Sequence, residues 1–332
     1  MTKPYGLLRA GYPFYATLGM RRVTTYPMDV VIGSDRDLYT LNRSDGAGGE
    51  IRLTNWDDDD LGTIGSDFVW PVQMIAGPED TLVVSDEGSH TITFWAKDGE
   101  KKDSWGEQGS EEGQLNRPSG IAFDSDDNLL VVDSMNHRVQ KFTASGQFIS
   151  SFGSPGNADG EFNMPWGIAV DSDDGSIFVS DWRNDRVQKF TANGEFLMAF
   201  GSSGDGRGEL NRPAGVALDA HGDIYVADRG NHRVQQFNSE GRFVDIFIGD
   251  AGLSKSGRIY IMANPKVLRA REMTHLVDAK RLRGPASVRI DGDLMYIPDF
   301  GSHRIQVYRK EAFELTEEQI YEEPNAPFLY TV

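Results

Sequence analysis

The segment PWGIAVDSDDGSIFVSDWRNDRVQKFTANGEFLMAFG, which runs from Pro165 to Gly201, decides the fold. It contains four short runs rich in Val, Ile and Phe, and Asp-Gly and Asn-Gly turns lie between runs. Glycine and asparagine tolerate the left-handed backbone angles that tight turns require. Because no part of the segment has helical periodicity, it predicts four strands joined into an antiparallel sheet.

The same unit recurs along the chain. Close copies begin at Pro118 and Pro213, and the prolines that open the units are spaced by 44 to 48 residues, except for a last spacing of 72. The six prolines are Pro27, Pro71, Pro118, Pro165, Pro213 and Pro285. A repeat of this length with four strands is typical of a β-propeller blade. The sequence therefore predicts an all-β, six-bladed β-propeller with four-stranded antiparallel blades.

A second landmark, the polar residue that ends the second strand of each copy, also counts six blades. It falls at Asn42, Asp86, Asp133, Asp181, Asp228 and Asp299. The last copy lacks a fourth strand, whereas the segment from Tyr12 to Gly19 resembles the fourth strands of other copies. We therefore expect the N-terminal strand to close the last blade, which would remove an open sheet edge.

Short motifs after the second strands carry a family resemblance. They read NHRVQ from Asn136, NDRVQ from Asn184, NHRVQ from Asn231 and SHRIQ from Ser302. In these motifs the chain resembles the NHL-repeat family of six-bladed propellers, over roughly residues 12 to 308. The resemblance is strongest in the three central copies, and the first copy is degenerate.

The resemblance has implications for catalysis. The catalytic branch of the family, the peptidyl-hydroxyglycine amidating lyase, binds zinc through histidines placed directly after the strand-opening prolines. The corresponding residues here are Met28, Val72, Ser119, Trp166, Ala214 and Ala286. None of them suits Zn²⁺, and Arg183 stands where that lyase has its catalytic tyrosine, so a zinc-histidine lyase is not expected. No cofactor is predicted, although Ca²⁺ held by backbone carbonyls would leave no signature and stays open.

The polar residues that recur from copy to copy indicate a structural role rather than a ligand-binding or metal site. Four histidines share one turn position, and four arginines each follow the strand-two acid by five residues. These residues are His90, His137, His232 and His303, and Arg138, Arg186, Arg233 and Arg304. Copies of one position lie in different blades and cannot form one cluster. We expect the histidines to make turn hydrogen bonds and the arginines to pair with the acids.

Charge and composition limit the functions. With 33 Lys and Arg against 51 Asp and Glu, the net charge is −18, which disfavours binding to nucleic acid. No apolar run is long enough to span a membrane, and the first residues do not resemble a signal peptide. There is no cysteine. We therefore expect no membrane association and a cytoplasmic location.

The propeller geometry predicts where a site lies. Residues that follow the strand-opening prolines and those that follow the strand-two acids should meet at one mouth of the axial channel, where function can be grafted on the scaffold. The candidate ligand-binding set is Trp166, Trp182, Arg183, Arg229, Arg43 and Glu87. Indoles beside guanidiniums suit a planar or anionic group. In the alternative interpretation the tryptophans plug the channel and the arginines pair with Glu87.

Two segments fall outside the repeats. We divide the chain into a propeller over residues 1–310, with an insertion at 250–284, and an acidic tail over 311–332. The insertion is basic, Asn264-Pro265 favours a helix start and Gly284 a stop, and we interpret it as a helical lid or docking element. The tail combines six glutamates with apolar residues, which predicts packing on the ring or on a neighbouring subunit of a homo-oligomer.

Two functions remain open from the sequence. The first is a binding module that presents the Trp/Arg site to a small anionic or planar ligand or to a protein partner. The alternative is a lyase or hydrolase that uses the axial pocket, with Arg183 and Arg229 as electrophilic groups and a carbonyl-bound metal. No nucleophile–base pair or metal triad is visible, which favours the binding module.

Overall fold

Six four-stranded antiparallel sheets form the body of the protein. The structure is a computed structural model that describes residues 6–19, 23–34, 36–44, 46, 48–272, 276–316 and 319. In blades one to five the strand opened by the repeated proline lies at one edge of the sheet and pairs with the second strand. The predicted six-bladed β-propeller is thus confirmed.

The first three blades follow the repeat from its opening proline. Blade one consists of β3 (Pro27–Ile32), β4 (Leu38–Arg43), β5 (Gly49–Thr54) and β6 (Asp60–Phe68). Blade two consists of β7 (Pro71–Gly77), β8 (Thr81–Asp86), β9 (Thr91–Ala96) and β10 (Lys101–Trp105). Blade three consists of β11 (Pro118–Phe123), β12 (Leu129–Asp133), β13 (Arg138–Phe142) and β14 (Phe148–Phe152).

The next two blades keep the same plan, whereas the last blade draws on both ends of the chain. Blade four consists of β15 (Pro165–Val170), β16 (Ile177–Asp181), β17 (Arg186–Phe190) and β18 (Phe196–Phe200). Blade five consists of β19 (Pro213–Leu218), β20 (Ile224–Asp228), β21 (Arg233–Phe237) and β22 (Phe243–Phe247). Blade six consists of β23 (Arg289–Asp291), β24 (Leu294–Asp299), β25 (Arg304–Arg309) and β2 (Phe14–Leu18).

The N-terminal strand closes the ring as predicted. In β2, Leu18 pairs with Ile305 and Phe14 with Tyr308 of β25. One strand of this blade is shorter than expected: β23 begins at Arg289 rather than at Ser287. Ser287 instead donates its hydroxyl to Asp29 of blade one at 2.7 Å, which ties the two blades at the point of closure.

The hydrophobic core lies between neighbouring blades. The second strands are covered on both faces, so that all five residues of β16 are buried. Phe190 of blade four packs on Phe152 of blade three at a centroid distance of 4.9 Å. A Cβ on Gly194, whose φ is +83°, would lie 2.5 Å from the Phe152 ring, so a glycine is required at this turn.

The repeated acid–arginine pairs bind each blade to the loop before it. In blade four, Asp181 accepts hydrogen bonds from Asn184 at 2.8 Å and from Arg186 at 3.0 Å. The second Nη of Arg186 donates to the Glu161 carbonyl, at 2.9 Å. The same Asp–Arg contact joins Asp133 to Arg138, Asp228 to Arg233 and Asp299 to Arg304. The predicted structural pairs are confirmed.

The insertion contains three short helices where the sequence analysis expected one helical segment between Asn264 and Gly284. They are α1 (Lys255–Met262), α2 (Pro265–Glu272) and α3 (Leu276–Lys280). The sequence reasoning missed α1, whose N-cap is Ser254: the Ser254 hydroxyl accepts the Gly257 N–H at 3.2 Å. Helix α1 begins against blade one, where Ser256 donates to Asp58 at 3.0 Å.

A two-stranded ribbon lies outside the ring, formed by β1 (Gly6–Gly11) and β26 (Glu311–Leu315). The first residues of the predicted tail therefore form a strand, and the tail beyond Thr316, apart from Gln319, lies outside the described residues. A buried network holds the ribbon on blade five. Arg9 pairs with Asp223, and Lys310 contacts Asp223 at 2.7 Å and Asp219 at 2.5 Å.

The contacts that hold the ribbon on blade five predict a pH-dependent contribution to stability. Burial would raise the pKa of Asp223, but hydrogen bonds from Arg9 and Lys310 lower it below its usual range. Because the folded pKa lies below the unfolded one, this stabilisation is present above the unfolded pKa, near 4, and is lost as pH falls through the folded pKa. We expect Lys310→Met to lower the free energy of unfolding at pH 7 by about 2 kcal/mol.

Urea denaturation at pH 7 and pH 3 measures this effect. Because Lys310→Met weakens the shift of Asp223, the loss should be smaller at pH 3. Lys280→Met is the matched control, since Lys280 pairs with Asp250 on the surface with a side chain 49% exposed. If the two variants lose equal free energy of unfolding, or if the loss in Lys310→Met does not change with pH, the predicted role of the buried network is wrong.

Candidate ligand-binding site at the channel mouth

The innermost strands all begin at one end of the axis, and this end is the candidate site. Trp166, which follows the opening proline of blade four, packs against a cluster that contains Met28, Val72 and Ala286. These three residues follow the opening prolines of blades one, two and six. Trp166 therefore reaches across the axis and forms the floor of the mouth, in line with the plugging role that the sequence analysis left open.

A buried glutamate organises the arginines on one side of the mouth. Glu87 is 3% exposed, and its two carboxylate oxygens contact Arg43 at 3.3 Å and Arg117 at 3.1 Å. Arg43 also donates to the Pro71 carbonyl at 2.7 Å and lies 4.6 Å from the centre of the Trp70 indole. The predicted Arg43–Glu87 pairing is thus present in the structure.

Arg229 differs from the other two arginines because it has no counter-ion in contact. Its guanidinium carbon lies 4.9 Å above the Phe300 ring, and among the described residues no acceptor hydrogen-bonds its side chain. Burial lowers the pKa of Arg229, and the charge of Glu87 offsets this only in part. A desolvated guanidinium without a hydrogen-bonded anion is costly, so the position is suited to an incoming anion.

The three arginines share one electrostatic field. Burial, together with the charges of Arg229 and Arg117, lowers the pKa of Arg43 to about 10, and the charges of Glu87 and Asp86 act in the opposite direction. One directly paired carboxylate thus faces three guanidiniums. On a chain whose net charge is −18, such a local excess of positive charge concentrates anions at the mouth.

The two predicted tryptophans come together on the blade-four side. Their ring centres are 5.7 Å apart with an angle of 37° between the planes. Arg183 lies 5.9 Å and Arg212 5.3 Å from the centre of the Trp182 ring. Both arginines are exposed. This part of the mouth combines aromatic faces with cations and can hold a planar anionic group.

Sequence reasoning missed two arginines, although a signal for them exists. It considered the residue after each opening proline, whereas Arg117 and Arg212 directly precede Pro118 and Pro213. The residues before five of the opening prolines adopt positive φ: Tyr26, Arg117, Met164, Arg212 and Gly284. The asparagine–arginine–proline triplet common to two of these junctions could have identified the missing arginines.

Among the described residues of the insertion, those at its end border the mouth. Helix α1 contacts blade one, as described above, and residues 281–284 lead back to the ring. There Gly301 donates its N–H to the Arg283 carbonyl at 2.8 Å. A Cβ on Gly284 would lie 3.8 Å from Cγ of Arg229. The predicted lid therefore borders the site through its return segment.

The opposite end of the channel is mainly apolar. A cavity of about 290 Å³ lies there, lined mainly by apolar side chains such as Ile121, Ile168 and Val216, with Arg289 as its one cation. Asp29, which is fully buried, pairs with this arginine. Because its charge is neutralised, this cavity does not share the anion preference of the mouth.

The acidic hairpin turns use their carboxylates in local contacts. Asp124 caps its own turn by accepting the Asp126 and Asn128 N–H groups at 2.9 Å, and it pairs with Lys141 at 2.5 Å. Within the described ranges no group of three or more His, Asp or Glu side chains is placed to share one ion. In the same part of the chain, no helix has the length and apolar character needed to cross a membrane.

The fold and the repeats define the class of protein. The sequence pattern of the NHL repeat matches residues 115–142, 162–190 and 210–237. These ranges span most of the first three strands of blades three, four and five, the three central copies. The chain is a six-bladed β-propeller in which three blades carry NHL repeats.

Solved structures with the same fold come from proteins of low sequence identity. A protein of unknown function from Bacteroides thetaiotaomicron is similar with a TM-score of 0.60 and 19% identity, over 91% of this chain and 72% of that one. A streptogramin B lyase is similar with a TM-score of 0.56 and 12% identity, over 92% and 89%.

A catalytically inactive virginiamycin B lyase from Staphylococcus aureus, with quinupristin, is similar with a TM-score of 0.55 and 14% identity, over 90% and 99%. At these identities the likeness concerns the fold alone. No curated protein matches the chain with significance.

Proposed function

We propose that this protein binds a small anionic ligand with a planar group at the channel mouth. The observation that carries the proposal is Arg229, a desolvated guanidinium whose side chain forms no hydrogen bond among the described residues. A carboxylate there would supply the missing charge-assisted hydrogen bonds. Such bonds are about twice as strong as those between neutral groups.

The surrounding side chains support the same ligand class. Arg43 and Arg117 share only Glu87, so their combined charge is not neutralised by that one carboxylate. Trp166 and Trp182 offer aromatic faces on the blade-four side of the mouth, where Arg212 lies 5.3 Å from the centre of the Trp182 ring. A flat acid can therefore place its charge on the arginines and its ring on an indole. An aliphatic acid would use only the first of these interactions.

Benzoate is the simplest probe of this site. We expect isothermal titration calorimetry to show saturable binding of benzoate, with weaker binding of cyclohexanecarboxylate, which cannot stack, and of benzamide, which has no charge. Replacing Arg229 with Gln should weaken benzoate binding at least tenfold, because a charged hydrogen bond contributes about 1.5 kcal/mol or more.

Arg242→Gln provides the matched control. Arg242 lies in a hairpin turn of blade five, with its side chain 80% exposed, and pairs with Glu240 on the surface. This substitution also removes one positive charge from the chain, but far from the mouth. If Arg229→Gln and Arg242→Gln change benzoate affinity equally, or if benzoate binds no better than benzamide, the proposed function is wrong.

A further inference from the structure

Neighbouring blades are joined by a hydrogen bond that repeats around the ring. In each case the backbone N–H of the residue before an opening proline donates to the side chain four positions after a strand-two acid. The pairs are Arg117 to His90 at 3.0 Å, Met164 to His137 at 3.1 Å, Arg212 to Asp185 at 2.7 Å and Tyr26 to His303 at 3.1 Å. The turn hydrogen bonds expected for His90, His137 and His303 are thus confirmed, and they cross from blade to blade.

The junction between blades five and six departs from this rule. His232 occupies the repeated turn position, with the same left-handed φ of +57° as its counterparts. The insertion separates it along the chain from Gly284, the residue before Pro285. Among the described residues no N–H donates to the His232 imidazole, so its Nδ1 is available to another group.

Gly284 leaves a gap where the other junctions carry a side chain. A Cβ at this position would lie 3.8 Å from Cγ of Arg229, 3.9 Å from Nδ1 of His232 and 4.0 Å from Nε of Arg229. The gap therefore lies between an imidazole and the unpaired guanidinium. Its backbone does not demand glycine, because Met164 and Arg212 adopt φ of +51° at the same place.

The His232 side of the gap borders an open pocket of about 580 Å³. His232, Arg281 and Arg283 line this pocket together with Asp278 and three uncharged residues. Two arginines against one aspartate leave an excess of positive charge beside the imidazole. The region next to Arg229 thus has the donors and the charge that a second anionic group would need.

We propose that the gap between Arg229 and His232 is a second anion subsite and that the ligand is a planar dicarboxylate. One carboxylate occupies the arginine group of the mouth. The other lies in the gap, where it accepts hydrogen bonds from Nε of Arg229 and from the His232 imidazole, so that the two Nη groups of Arg229 remain for the first carboxylate. This inference rests on the proposed function, since it assigns the second end of the same ligand.

Terephthalate and benzoate test the inference, because they differ only in the second carboxylate. With the full chain in calorimetry, terephthalate should bind at least tenfold tighter than benzoate. His232→Ala should remove this gain and leave benzoate affinity within twofold of the wild-type value. Gly284→Met, which fills the gap, should also remove the gain of terephthalate over benzoate. Methionine at 284 copies blade four, where Met164 has nearly the same φ, so the variant is expected to fold.

The outcomes separate the two proposals. If benzoate binds but terephthalate gains nothing, the second subsite is wrong and the mouth remains. If neither acid binds, both the proposed site at the mouth and the second subsite are wrong. If the gain persists in His232→Ala, the second carboxylate lies elsewhere and the subsite is wrong. Thermal melts by circular dichroism check folding, and His232→Ala, which alters an exposed side chain, carries the test if Gly284→Met is unstable.

Discussion

Replacing Asp181 with alanine is expected to lower the free energy of unfolding by about 4 kcal/mol, a large part of the stability of a typical domain. The fully buried carboxylate accepts hydrogen bonds from Asn184, Arg186 and Gln188 and from the Asn163 N–H. Burial raises the pKa of Asp181, so its charge is costly in itself. The carboxylate nevertheless stabilises the fold, because it accepts hydrogen bonds from four donors that would otherwise be buried without an acceptor.

Urea denaturation of the variant and the wild type measures this loss, with Asp159→Ala as the control. Asp159 lies 4.0 Å from the same Arg186, but its side chain is 71% exposed. The control removes a carboxylate from the same arginine and should cost less than 0.5 kcal/mol. A loss below 1 kcal/mol in Asp181→Ala would show that the repeated acids do not hold the blades together.

Replacing Glu87 with glutamine is expected to change stability and ligand binding in opposite directions. The variant removes the one carboxylate among the described residues that pairs directly with Arg43 and Arg117, and Arg43 is 6% exposed. We expect the free energy of unfolding to fall by about 3 kcal/mol, because an uncompensated buried charge remains. The same uncompensated charge should raise benzoate affinity at least tenfold.

Thermal unfolding with and without benzoate tests both effects on one sample, since a ligand that binds the folded state stabilises it by mass action. Glu240→Gln is the control: it removes a surface carboxylate with a 62% exposed side chain and should change neither quantity. Unchanged benzoate affinity in Glu87→Gln would contradict the view that Glu87 limits the positive charge of the mouth.

The residues around Glu87 fit both interpretations of the candidate residues in part. Sequence reasoning set a ligand site against arginines paired with Glu87 and tryptophans that plug the channel. In the structure Arg43 is paired and Trp166 packs on the axial cluster, whereas the side chain of Arg229 forms no hydrogen bond with any described residue. Under the proposed function, the candidate residues therefore divide between those that support the scaffold and those that would contact a ligand. This division depends on the distances between residues of different blades, and the spacing of residues along the chain does not determine those distances.

The propeller and its repeated contacts follow from sequence because they are local and periodic. Strand alternation, turn glycines and the Asp–Arg spacing act within one blade, so each copy repeats the same information. The closing role of the Tyr12–Gly19 segment was also predictable, since only one blade lacked a strand. Helix α1 was missed because Ser254 and Gly257 form a cap that hydrophobic periodicity does not reveal.

The arrangement of the mouth was decided only by tertiary structure. Arg43, Arg117 and Arg229 are far apart in sequence and come from different parts of the ring, yet they share the field of Glu87. The gap at Gly284 is visible only when its junction is compared in space with the other four. By itself the sequence determined the fold, because its pattern is repeated in every blade. The site depends on the few residues that break the repeat, and only the closed ring brings those residues together.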